Sequence, residues 1–337
     1  MLTERTIGNV FIGHALLAFA LAVLFAEWRG WPARRALTLG AVMGAFAALP
    51  DVDVVYAVVA LDAGRFLGNG LPPSAFWEAA NSVHRSMTHS VLIALVAGPL
   101  FGVWTLRGRT PRTVATRSVA AAVLVGLVGV AIAVSGPLGG IVMGAFVVVG
   151  VGIATATRQW TDLSVRTVGL AATIGLLTHP WGDLVTGQPP QLLYPFEMAV
   201  LSERIVLHPD PTMHLLGAFG IELATIWFAT LAVVVVTDRT LWTVTDGTAG
   251  LGATYGAAAF VLVPPTLDVS YHFVFSILAV GAACGVLSWY RTRPRLPPVT
   301  RPAAVDLGAG FAYWGIALAG TTLALAGYAA VYAAVWL

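Results

Sequence analysis

Ten stretches of this chain run for roughly 18 or more residues with little but apolar side chains, the length a helix needs to cross about 30 Å of hydrocarbon. They fall at 7–26, 36–60, 89–106, 117–135, 138–157, 165–186, 214–236, 248–265, 269–290 and 309–336. Within a bilayer every backbone polar group must find its partner inside the protein, and long apolar runs meet that demand as helices. The expected fold is all-α: a polytopic transmembrane helical bundle of about ten spans, with a broken second span and a kinked sixth. The composition agrees, since 58% apolar residues, 10% charged residues and a mean hydropathy of +0.84 lie outside the range of soluble domains. Residues 1–211 read as one membrane domain, which holds the sharpest of the polar motifs described below. Residues 212–337 read as an additional four-helix membrane region with no assigned role.

The first apolar run is expected to be a retained span rather than a cleaved signal, because Arg29, Arg34 and Arg35 follow it instead of preceding it. All 18 basic residues are arginine, and their distribution sets the orientation. With ten spans, one set of alternate loops holds all of them except Arg5, Arg65, Arg85 and Arg204. Positive loops stay cytoplasmic, so both termini are expected on the outer side of the cell membrane. The same arrangement puts His14, His84, His89, His179 and Asp183 at or near outer span ends, Asp51 and Asp53 in the outer half of the second span, and indeed all seven histidines on one side. A single outward-facing polar site accounts for that coincidence. A net charge of +2 without a basic run argues against nucleic acid as a partner. One cysteine, Cys284, excludes an intrachain disulfide and a cysteine-based zinc site, so any metal must be held by nitrogen and oxygen.

The sharpest polar cluster is His84-Arg85-Ser86-Met87-Thr88-His89-Ser90, at the mouth of the third apolar run. Histidine is the commonest metal ligand and arginine the best fork for phosphate or carboxylate, so the cluster points to metal-assisted chemistry on an anionic group. His84 and His89 lie about 140° apart on a regular helix, so they can share an ion only if the first turn is irregular or His84 precedes it. The alternative is two interfacial histidines at a helix start capped by Ser86 or Thr88.

Two further motifs interrupt apolar spans. In Leu49-Pro50-Asp51-Val52-Asp53, proline removes a backbone donor and biases its predecessor away from helix. Either the span breaks there and lines a wet cavity with carboxylates, or it ends and the aspartates are solvated. In Thr178-His179-Pro180-Trp181-Gly182-Asp183, His179 and Asp183 stand at i and i+4 on one helical face. They can ligate one ion, or the aspartate can orient the imidazole, or the pair can form a plain helix-end hydrogen bond. His14 alone reads as a core histidine and gains weight only from convergence with the others. The loop from His208 to His214 can add ligands or be an ordinary proline-rich connection. Glu222 is expensive inside a span, and Asp268 and His272 read as solvated.

Taken in order, His14, Pro50-Asp51-Val52-Asp53, His84-Arg85-Ser86-Met87-Thr88-His89-Ser90, His179-Pro180-Trp181-Gly182-Asp183 and Leu193-Tyr194-Pro195-Phe196 resemble the YdjM-like family of LexA-regulated, membrane-bound, metal-dependent hydrolases. The resemblance covers roughly residues 10 to 200. It implies hydrolase activity and, through a distant similarity of the family to zinc-dependent phospholipases C, a ligand set of His14, Asp51, His84 or His89, His179 and Asp183. The chain lacks the N-terminal tryptophan ligand and the His-x-x-x-Glu of that wider group, so one or two ions are expected rather than three.

The expected function is a phosphoesterase acting on a membrane lipid or lipid-linked substrate. Asp51 or Asp53 would serve as ligand or general base, and Arg85 would steady charge on the phosphate. Zinc suits the donor set, and manganese or iron accept the same atoms. The alternative is a transporter in which the same groups bind a cation or relay protons, since broken helices carrying carboxylates also suit transport. The sequence does not fix the oligomeric state.

Overall fold

The computed structural model describes residues 13–54, 85, 87–187, 189–239, 241, 247–292 and 307–337. Every regular element among them is helical, and the chain forms two compact units, 1–206 and 207–337. Among the described residues, four helical runs are long and apolar enough to cross a membrane: Pro111–Trp160, Pro211–Thr237, Tyr271–Thr292 and Gly310–Trp336. Gly13–Trp28 and Val91–Trp104 are apolar but shorter.

In the first unit, α1 (Gly13–Trp28) and α2 (Ala33–Ala47) pack side by side. A 3-10 helix over Leu49–Val54 follows α2, so the regular helix ends just before Pro50 and both aspartates sit on the tighter turn. A second short 3-10 helix, Met87–His89, leads into α3 (Val91–Trp104). The cap of α3 is Ser90 and not Thr88, and Ser86 lies outside the described residues. Ser90 accepts from the amides of Leu92 and Ile93 and donates to the carbonyls of Leu192 and Tyr194. Serine satisfies orphan amides well at this position, and here it also ties the helix start to the 190–196 segment.

The run α4 (Pro111–Trp160) starts on a Thr110 cap with Pro111 in the first turn. It includes the two stretches read separately as 117–135 and 138–157. Gly136 between them has φ 74° and ψ −172°, which glycine alone adopts without strain. A Cβ built on Gly139 or Gly140 would press on Ala131 or Ile132. On a straight helix residues eight apart are separated by about 12 Å, so the chain doubles back at Gly136.

Helix α5 (Val165–Asp183), capped by Ser164, carries the His-Pro-Trp-Gly-Asp motif at its end, with Pro180 inside the helix. Small residues let it lie close to its neighbours, the device that membrane helices use where apolar burial gives no drive. Gly98 and Gly102 of α3 meet the backbone of Thr173 and Gly169. Gly175 meets Met43 O and Ala47 N of α2. Phe46 stacks on Phe101, and Phe146 packs tilted against Phe101, with centroids 5.5 and 6.0 Å apart.

The second unit comprises α6 (Pro211–Thr237), a 3-10 helix over Gly247–Phe260, α7 (Tyr271–Thr292) and α8 (Leu307–Trp336). The 3-10 helix covers most of the stretch read as the span 248–265. Its Gly252 and Gly256 rest on the carbonyls of Gly320 and Gly327 in α8. Phe273, Tyr255 and Tyr328 form the aromatic centre of this unit. Trp227 and Trp314 bond across α6 and α8 to Thr322 and Thr230.

Candidate metal centre

The close contact of α5 with α2 at Gly175 brings the next turn of α5 against the open end of α2. There His179 Nδ1 lies 2.6 Å from the carbonyl of Ala47. A carbonyl only accepts, so Nδ1 carries the hydrogen and the Nε2 of a neutral ring is a lone pair. The opposite face of the site repeats the device with side chains. His89 Nδ1 is 3.0 Å from Thr88 Oγ1, and Thr88 Oγ1 donates to Asp53 Oδ2 at 3.2 Å. This relay puts the hydrogen of His89 on Nδ1 and leaves its Nε2 as a lone pair as well.

The two lone pairs face each other: His89 Nε2 and His179 Nε2 are 2.9 Å apart. Such a pair is repulsive unless a cation or a shared proton lies between the nitrogens. Asp183 Oδ2 stands 3.1 Å from His89 Nε2 and 3.8 Å from His179 Nε2, and Asp51 Oδ1 stands 3.4 Å from His179 Nε2. Asp183 Oδ2 is buried and accepts no well-formed hydrogen bond, with His89 Nε2 at 3.1 Å the nearer of the two ring nitrogens. Nitrogen and oxygen ligands at 2.0–2.2 Å around a tetrahedral ion are themselves about 3.4 Å apart. The spacing, the donor types and the orphaned carboxylate oxygen therefore fit a divalent ion, with two carboxylates to balance its charge.

His14 joins from α1, its Nε2 3.5 Å from Asp183 Oδ1 and its ring 4.3 Å from that of His179. Two overlapping triads result, His14-His179-Asp183 and Asp51-His89-His179, each with donor atoms within 4.8 Å of one another. Burial is unequal. The side chains of His14, His89, His179 and Asp183 are almost fully enclosed, whereas that of Asp51 is 23% exposed. Among the described residues, Asp51 is the outward edge of the cluster.

Asp53 and Arg85 take places that their sequence positions did not reveal. Asp53, expected as a ligand or base, sits behind His89, where Oδ2 accepts from Thr88 and from the Arg85 amide. Arg85, expected at a phosphate, is buried and turned inward. Its Nη1 donates to the Asp183 carbonyl at 3.1 Å and its Nη2 to Thr186 Oγ1 at 3.0 Å, with Asp183 Oδ1 3.2 Å from Nη2. Arg85 also has φ 68°, a left-handed conformation that costs a non-glycine residue about 1–2 kcal/mol. Hydrogen bonds hold it there on both sides, from its amide to Asp53 and from the Gln191 amide to its carbonyl. His84 lies outside the described residues.

The remaining polar candidates belong to the second unit and make local bonds there. His214 Nδ1 accepts from the Leu207 amide, His208 Nδ1 from the Asp210 amide, and His272 Nε2 pairs with the Val263 carbonyl. Sequence reasoning missed the Ala47 carbonyl and Thr186. Thr88 was in view only as a cap.

A family model described as YdjM inner membrane protein matches residues 10–250 of the chain. The comparisons with curated proteins and with solved structures gave no significant match.

Proposed function

The chain belongs to the YdjM inner membrane protein family, and on that premise we propose that it is a metal-dependent membrane hydrolase that cleaves a phosphoester in a lipid or lipid-linked molecule. The observation that carries the reading is the approach of two imidazole lone pairs, backed by fixed acceptors, with two carboxylate oxygens beside them. That arrangement suits a bound cation, because two neutral imidazoles with fixed tautomers and two carboxylates supply four donors of the kind a divalent ion takes.

His89 and His179 would hold the ion through Nε2, Asp183 through Oδ2 and Asp51 through Oδ1, with His14 alongside. Zinc suits this set, and manganese or iron accept the same donors. A single ion is the better count, because both triads draw on His179 and its one remaining ring nitrogen cannot serve two ions well apart. When bound, the ion supplies Lewis-acid activation of a water and of a phosphoryl oxygen near neutral pH.

The chain's own residues do the rest. Asp51, at the exposed edge, is the group that can take a proton from an arriving water. Asp53 and Thr88 hold the His89 ring in its tautomer, and the α2 carbonyl does the same for His179. The arginine distribution supports an outward-facing site, reached from outer water or the outer leaflet.

The test is elemental analysis of the detergent-purified chain beside His179→Ala, followed by an assay for release of phosphorylated headgroups from phospholipid micelles. One equivalent of metal in the wild type only, with metal-dependent release, supports the proposal. Metal flux into proteoliposomes without hydrolysis would favour transport instead, and equal metal in both chains would remove the basis for either.

A further inference from the structure

We infer that Gly187 is a positioning residue of the metal centre: its missing side chain is the space in which the Arg85 guanidinium holds Asp183. The inference rests on the metal reading above and names a residue that the reading does not use.

Gly187 follows α5 by one short turn, four residues after Asp183. Its φ lies outside the left-handed region, so the backbone makes no demand for glycine there. Space does. A Cβ at this position would come within 2.8 Å of Arg85 Cζ and 3.2 Å of Nη2, and closer still to Nη1. The end of a flexible arginine would ordinarily swing aside at little expense. Here it is tethered, by Nη1 on the Asp183 carbonyl and by Nη2 on Thr186 Oγ1 and Asp183 Oδ1. The arginine backbone is fixed at the other end by Asp53 and Gln191. Moving the guanidinium therefore means releasing Asp183.

The consequence reaches the donor atoms. Asp183 Oδ1 is held between Arg85 and His14, and that grip turns Oδ2 toward the nitrogens of His89 and His179. Arg85 acts on the ion through Asp183, and Gly187 acts through Arg85. A lysine at position 85 would carry one compact ammonium in place of the fork and would not fill the space beside Gly187.

The experiment measures zinc affinity of the full chain in detergent by competition with a chromophoric chelator, alongside helical circular dichroism and thermal unfolding. Gly187→Ala is expected to bind zinc about 10–100-fold more weakly, the range seen when outer-shell partners are lost, while keeping its helical signal. Gly144→Ala, where an added Cβ has no neighbour within 4 Å, should match the wild type. Arg85→Lys should weaken binding by itself, and adding Gly187→Ala to it should cause little further loss, a non-additivity that marks residues acting through one contact. Should Gly187→Ala fail to fold, Thr186→Ala interrogates the same grip, with weaker zinc binding expected. Wild-type affinity in Gly187→Ala, or in Thr186→Ala when that variant stands in, or full additivity with Arg85→Lys, overturns the inference alone. A wild-type chain that binds no zinc overturns the metal reading along with it.

Discussion

His89 and His179 point their Nε2 atoms at each other across 2.9 Å while the other nitrogen of each ring is committed to an oxygen. That geometry converts two ordinary buried histidines into a demand for positive charge. The carboxylates of Asp51 and Asp183 sharpen the demand, since their oxygens come to 3.4 Å from His179 Nε2 and 3.1 Å from His89 Nε2.

Removing a donor should abolish binding rather than weaken it. His179→Ala and Asp183→Ala are expected to lose zinc beyond the roughly 10–100-fold that outer-shell changes produce. Elemental analysis after gel filtration in detergent reads the outcome, and retained stoichiometric metal in either variant would contradict the assignment.

Loss of the relay behind His89 should have a smaller effect. Thr88→Ala and Asp53→Asn leave every proposed donor in place but free the ring, so affinity should fall by about 10–100-fold with stoichiometry recoverable at high zinc. A chelator competition titration separates this from the donor variants.

The ion should also stabilise the fold. A ligand that binds only the native state adds about 2.7 kcal/mol at a concentration 100 times its Kd. Chelator treatment should lower the Tm of the wild type, zinc should restore it, and His179→Ala should respond to neither. Acid should weaken binding as the imidazoles take up protons, because metal and proton compete for the same lone pairs.

Gly175→Ala sets two effects against each other. Alanine gains about 1 kcal/mol of helix propensity over glycine. The added Cβ, however, meets Met43 O at 2.6 Å and Ala47 N at 3.1 Å, backbone atoms that cannot turn aside. Overpacking of this kind costs typically 1–3 kcal/mol, so a net fall in Tm is expected, together with weaker zinc binding as α5 moves off α2. A Tm above that of the wild type would show that the helices have slack.

Ser90→Ala should cost about 0.5–2 kcal/mol for the lost cap, with a further penalty because the same hydroxyl ties the carbonyls of Leu192 and Tyr194. Thermal unfolding reads the sum, and a change below about 0.5 kcal/mol would deny the serine its double role.

Much of this centre was legible in the residues. The i, i+4 spacing put His179 and Asp183 on one face, and their oxygen and nitrogen atoms do come within 3.8 Å. His14 carried no local signal and entered only by convergence. What stayed hidden was what the third dimension decides. Asp51 and Asp53 are two apart on the same turn, yet one edges the donor set and the other stands behind His89. Arg85 looked like an anion fork and proved to be turned inward, since nothing local announces a partner about a hundred residues away. Helix type was equally silent over 247–260, where glycine and alanine permit either winding.

Because the acceptor behind His179 is the main chain of residue 47, no replacement of that side chain can delete it. The protonation pattern of this imidazole is thus encoded in the separation of two helices, set by a glycine one turn away. Variants that disturb it are to be sought among changes of girth along that seam, at positions that never touch an ion.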